Sequence, residues 1–384
     1  MNKPIPYGKQ EITQLDIDAV VSTLTSEFLT QGPKVLEFEE KFAHYIGSKY
    51  AVAVSNGTAA LHVSAMALGV NKNTKVICTP ITFAASSNCI LYCGGSVEFV
   101  DIDPVTFTID IDKVEALLKQ HPKGTYQGIV PVDFAGYPVN TERLQSLAKE
   151  YGLWVLEDAC HAPGGYYKDS NGKRINCGDG QYADLSIFSF HPVKHIACGE
   201  GGMVTTNDET LYKKLLNLRT HGINKNFDAP PAGEGGWYYQ MTELGYNYRI
   251  PDMLCSLGIS QLERAEENIA KRRRIADTYS NKLKDLSPNI AVPQYPAGHG
   301  FHLYVILAKR RLELYNFLRT KNIFCQVHYI PVHTLPYYQS LGYKKGSMPN
   351  AEKYYEECLS LPMFPNLTEE EQQYVCDCIR EFYQ

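Results

Sequence analysis

No stretch of this sequence is apolar for long enough to cross a membrane. The most apolar long window, residues 51–70, is interrupted by Ser55, Asn56, Gly57, Thr58 and His62. The opening MNKPIPYGKQEITQLD lacks the apolar core of a signal peptide. Lys and Arg are scattered, and a net charge of -5 advertises no basic surface for nucleic acid. Repeats and low-complexity segments are lacking too. Cysteine is not scarce, at 11 residues, but metal-ligand spacing is: the nearest pair, Cys376 and Cys378, falls in a segment that reads as a C-terminal helix. These absences predict a cytoplasmic chain with reduced thiols, no metal, no membrane contact and no nucleic-acid partner.

What is present suits a large α/β protein. At 384 residues, 44% of them hydrophobic, the chain is too long for one small core and suits two lobes. From about residue 35 to 206, short apolar or β-branched runs alternate with helical stretches. YAVAV, KVICT, SVEFVDI, GIVPVDF, LWVLED, SIFSF and GGMVTT are the expected strands. Between them lie segments such as NTERLQSLAKEYG, where Asn140 or Thr141 can cap a helix and Gly152 can end it. That alternation predicts a mostly parallel sheet sandwiched by helices. The pattern changes after YNYRIPDM, so the expected division is residues 1–251 as a large domain and residues 252–384 as a smaller C-terminal α/β domain.

Three features fall at the C-terminal ends of expected strands, where open α/β sheets place ligands. SNGTAAL joins a strand to a helix start whose free amides, near Thr58 and Ala59, can hold an anion; any strand-to-helix turn also favours these residues. LWVLED ends in Asp158, which must meet a cation or hydrogen-bond donors, or else serve as a helix N-cap. Lys194 lies four residues beyond LSIFSF and just ahead of GEGG. It is either an exposed loop lysine or a desolvated amine able to attack carbonyls. Joined, the three supply a phosphate anchor, an acid for a pyridine nitrogen and a Schiff-base lysine, which is what pyridoxal phosphate requires. Phe83, at another strand end, offers a face to stack on the ring.

LTQGPKVLEFEEKFA, AVAVSNGTAALH, TPITFAAS, VLEDACHAPGG, FSFHPVKHIACGEGGMVTTND, ELGYNYRIPDMLCSLGISQL and QVHYIPVH together span nearly the whole chain. In these segments the sequence resembles the DegT family of sugar aminotransferases, which are fold-type I pyridoxal-phosphate-dependent transferases. The resemblance implies that Lys194 is the catalytic, cofactor-holding lysine and Asp158 the partner of the pyridine nitrogen. It places His161 near the ring hydroxyl, and Thr58, Ala59 and Ser189 around the phosphate. It gives Asn247 to the phosphate of a neighbouring subunit, hence a homodimer with shared sites. Tyr7, His328 and Tyr329 match substrate-side positions, although packing explains tyrosines in a chain holding 27 equally well. His191 and His195 flank the lysine as either chemical groups or hydrogen-bonded walls.

Within the family, LTQG, His161, HLYVIL and QVHYIP resemble members of the pseudaminic acid pathway. These use glutamate to aminate C4 of a UDP-linked 4-keto-6-deoxy-N-acetylhexosamine. A D-configured UDP-4-keto sugar, or GDP-4-keto-6-deoxymannose, is the alternative substrate. A non-catalytic protein that keeps the fold is the remaining reading; family dehydratases carry histidine at the position of Lys194.

Overall fold

The computed structural model describes residues 3–225 and 230–384. All seven expected strands join one sheet, in the order Tyr50–Val54, Gly202–Thr206, Leu185–Ser189, Trp154–Asp158, Gly128–Val130, Lys75–Cys78 and Ser96–Phe99. Gly202–Thr206 runs antiparallel to both its neighbours and every other pairing is parallel. These strands are buried on both sides, which is why they read as continuous apolar runs rather than as alternation. On one face Leu156, Ile187 and Val204 pack with helices Gly57–Ala67, Ala85–Tyr92 and Glu209–Arg219. On the other, Phe188 and Met203 meet Phe38 and Phe42 of helix Pro33–Ile46, and Ile129 meets Val114 and Leu144 of two further helices. Each such side chain withdrawn from water contributes about 2 kcal/mol.

Local signals end the helices as expected. Asn140 Oδ1 accepts from Arg143 N at 3.0 Å at the start of Thr141–Tyr151, and Gly152 closes that helix with φ +73°. The reversed strand has a consequence for the site. Gly202 pairs with both Ser189 and Val54, so the Lys194 loop that joins Ser189 to Gly202 turns back over the sheet edge where Asn56 begins its helix. A Cβ on Gly202 would sit 2.4 Å from Asn56 O, so only glycine allows this approach.

The long C-terminal helical stretch is two helices, Asp252–Leu262 and Ala265–Leu283. Cys255 and Ile259 of the first share the core of Phe38, Phe188 and Met203. The second apolar core starts at Ile275 and gathers the three-stranded sheet Ile290–Ala291, Tyr304–Ala308 and Cys358–Leu361 with helices Arg311–Thr320 and Glu369–Tyr383. It also takes Ile5, because Ile5–Pro6 pairs in parallel with Ile323–Phe324. A boundary between residues 251 and 252 therefore precedes a helix packed on the large sheet's layer. Among the described residues no helix is long and apolar enough to cross a membrane.

Candidate active site

Strand ends of the large sheet build a cavity of about 800 Å³, closed by the segments that bear His302, His328 and Tyr329. Tyr7, Thr58, Ala59, Phe83, Asp158 and His161 all line it, with Ser189, His191, Lys194, His328 and Tyr329. Asn247 does not. It lies exposed elsewhere on the surface, its Oδ1 accepting from Arg249 Nε at 3.0 Å. His195 does not line the cavity either: it is buried behind it, its Nε2 donating to Gly300 O at 2.7 Å.

Asp158 is buried at the end of its strand and does not begin a helix. Its Oδ2 accepts from Ser86 Oγ at 2.6 Å and its Oδ1 from Cys160 N at 3.2 Å. Ser86 Oγ also meets Thr82 Oγ1 at 2.6 Å, so two hydroxyls from another strand end fix the carboxylate. Sequence reasoning missed both. Their signal was the cluster TPITFAASS itself, hydroxyl-rich immediately after an apolar strand.

Asn56 starts the helix Gly57–Ala67 by accepting from Ala59 N at 2.8 Å. Ala59's amide is thus already used, and the amides of Gly57 and Thr58 remain at the open end of the first turn. A Cβ on Gly57 would come within 3.0 Å of Ser189 Cβ, so glycine brings the Ser189 hydroxyl against the helix start. Two amides, the Ser189 hydroxyl and the positive end of a helix make an anion cradle.

Lys194 sits in a tight turn, its N–H donating to His191 O at 2.8 Å. Its half-buried amine lies 3.4 Å from His302 Nε2. Burial lowers its pKa from the usual lysine value, while Cys160 and Asp158 nearby oppose the shift. His161 Nδ1 accepts from Ala135 N at 3.2 Å, which leaves the ring proton on Nε2, 3.3 Å from the Tyr329 hydroxyl. Burial, then the charge of Lys194, pushes His161 well below the usual histidine range, so the ring is neutral. Phe83 is 62% exposed at the mouth, with its ring centre 6.3 Å from that of Tyr329.

Behind the strand, the neighbouring carboxyl has another environment. Glu157 Oε2 accepts from Ser186 Oγ at 2.7 Å and Gly178 N at 3.1 Å. Its carboxyl faces that of Asp133, and Cys177 completes a buried trio with ligand atoms within 4.8 Å of one another. Burial raises both carboxyls, Glu157 well above the usual range, so the pair holds a proton.

The residues fit pyridoxal phosphate: an amine kept out of water, an anion cradle beside it, and a carboxylate fixed at the cavity floor. The relatives of the chain agree. It is 38% identical over 382 residues to the UDP-4-amino-4,6-dideoxy-N-acetyl-beta-L-altrosamine transaminase of Campylobacter jejuni, covering 98% of this chain and 96% of that protein. Among solved structures it is similar to Helicobacter pylori PseC, an aminotransferase involved in pseudoaminic acid biosynthesis, with a TM-score of 0.89, 31% identity and 99% of each chain covered. The sugar aminotransferase Spr1654 of Streptococcus pneumoniae, described as putative and solved in its PLP form, gives a TM-score of 0.88 at 27% identity over 99% and 98% of the two chains. The DegT/DnrJ/EryC1/StrS aminotransferase family matches residues 10–380, so the chain is a member of that pyridoxal-phosphate-dependent family.

Proposed function

We propose that this chain transfers the amino group of glutamate to C4 of a UDP-linked 4-keto-6-deoxy-N-acetylhexosamine, giving UDP-4-amino-4,6-dideoxy-N-acetyl-β-L-altrosamine. The placement of the Lys194 amine over Asp158 in one cavity, beside the helix start at Gly57, carries the aminotransferase part of this reading. The likeness to the Campylobacter jejuni transaminase supports the sugar. The working unit is a cytoplasmic homodimer in which Asn247, exposed on its own subunit, serves the partner's phosphate.

Pyridoxal phosphate, when bound, supplies an aldehyde that takes up an amine and a ring that accepts the electron pair of the carbon being deprotonated. Gly57, Thr58 and Ser189 hold its phosphate. Asp158, oriented by Ser86, keeps a proton on its ring nitrogen, and Phe83 covers the ring at the mouth. His161 donates from Nε2 to Tyr329 and so fixes the hydroxyl that faces the sugar side, opposite Tyr7. Lys194 would hold the aldehyde, and its free amine would be the base placed to take the proton from the α-carbon of glutamate. Its lowered pKa serves both roles, because only the uncharged amine attacks a carbonyl or accepts a proton.

The test is a panel of UDP- and GDP-linked 4-keto sugars offered with glutamate, reading 2-oxoglutarate. Turnover is expected with the UDP-linked L-configured sugar, and a Lys194→Ala variant is expected to release none above background. A GDP-linked sugar turned over in its place would refute the sugar assignment, and an active Lys194→Ala would refute the site.

A further inference from the structure

His302 opens the buried strand segment HLYVIL, and nothing in its local sequence suggests chemistry. In the fold it is buried in the cavity wall and its Nε2 faces Lys194 Nζ at 3.4 Å, across 108 residues of chain. Its other ring nitrogen, Nδ1, is buried and meets no partner among the described residues. The ring packs on His161, centre to centre 4.3 Å, and lies 5.8 Å from His195.

Two tautomers are open to a neutral ring, and they are not equivalent here. With the proton on Nδ1, a buried N–H is left without an acceptor, at a cost of about 1–3 kcal/mol. Orphaned buried N–H groups are rare in folded proteins. With the proton on Nε2, the N–H points at Lys194, and that donation requires the lone pair of an uncharged amine. We propose that His302 is a positioning residue that donates its Nε2–H to the uncharged amine of Lys194, holding it neutral at the cavity wall until a carbonyl takes its place.

The surroundings favour that state. The groups that face the contact are Asp158, Cys160, Arg272, His161, His195 and His328. The histidines are kept neutral by burial. Arg272 is a buried cation, and its NH1 donates to the carbonyls of Phe301, His302 and Met363 at 3.1–3.2 Å. It therefore anchors the backbone that presents His302 and penalises a second positive charge nearby. Asp158 is the one carboxylate in the group, and Ser86 and the Cys160 amide already satisfy it.

The proposal takes from the functional reading only that Lys194 is the reactive amine. Borohydride trapping of the bound cofactor tests that part separately, by showing which lysine it modifies. The tautomer is read in cofactor-free, full-length protein by solid-state nitrogen NMR of labelled histidine, with the His302 signals assigned from His302→Gln. A protonated Nε2 and a bare Nδ1 are expected; the reverse overturns the proposal. The consequence for Lys194 is read by cyanate labelling across pH, quantified on its peptide against exposed Lys72 and Lys345. Loss of one hydrogen bond in His302→Phe should lower labelling near neutral pH about fivefold, whereas His302→Gln, which can still donate at the same reach, stays close to the parent. Equal labelling in all three proteins overturns the proposal even if the tautomer is as expected.

Discussion

Asp158 and Glu157 are adjacent in one strand and point to opposite faces of the sheet, and the two faces use burial in opposite ways. On the cavity side, burial strips charge from bases: Lys194 is lowered, and His161, His302 and His328 are kept neutral. On the far side it strips charge from acids, leaving Glu157 and Asp133 to hold a proton. Asp158 and Glu157 have like donors, each accepting from one serine hydroxyl and one backbone amide. They differ in what else stands opposite: Glu157 faces the Asp133 carboxyl, whereas Asp158 faces the cavity that Lys194 lines. Two adjacent acids of one strand are thus set apart by the neighbouring charge on each face, and not by residue type or donor count.

The largest test removes the carboxylate on the cavity side. Asp158→Asn keeps shape and most hydrogen bonds but cannot hold a ring proton by charge, and kcat is expected to fall on the order of a thousandfold while the fold persists. Glutamate turnover and far-UV circular dichroism together check this. Full activity would erase the distinction between the faces.

Next in size is the acid response. His299 and His328, both buried, are each pushed down to about 3 by burial. Their folded values lie below the unfolded value, so the unfolded chain binds more protons below about pH 6.5 and stability falls with pH. Between pH 6.5 and 5 these two groups alone should remove about 3 kcal/mol, read by urea unfolding. The acids run the other way: a carboxyl raised by folding is protonated only in the native state, so its stabilisation is lost as pH rises. Glu157→Gln should therefore gain stability relative to the parent from pH 5 towards pH 8. It should change kcat by no more than about threefold, because its contacts lie behind the sheet. A large loss of activity in this variant would show that the two faces are coupled.

The seven strands of the large sheet were legible because both their faces are apolar, and each left a continuous run in the sequence. Asn140 and Gly152 were legible because capping is a local interaction. Cys358–Leu361 was not: four residues, half of them Cys and Ser, give no periodicity to read. Nor was Ile5–Pro6, whose partner is more than three hundred residues away. The same logic divides the site. Lys194 and Asp158 carry chemistry that needs a cation and an acid at strand ends, so spacing exposes them. Ser86 and His302 act only through what stands opposite them, and no local pattern encodes an opposite neighbour.

The pairing of Ile5 with Ile323 gives the pocket an order of assembly. Tyr7 reaches its place only after the segment bearing His328 and Tyr329 has been made, and its carbonyl is then held by Met363 N. The cavity wall is thus closed by two segments far apart in the chain meeting, and a nascent chain halted before residue 323 has Lys194 and Asp158 but lacks the segment that encloses them.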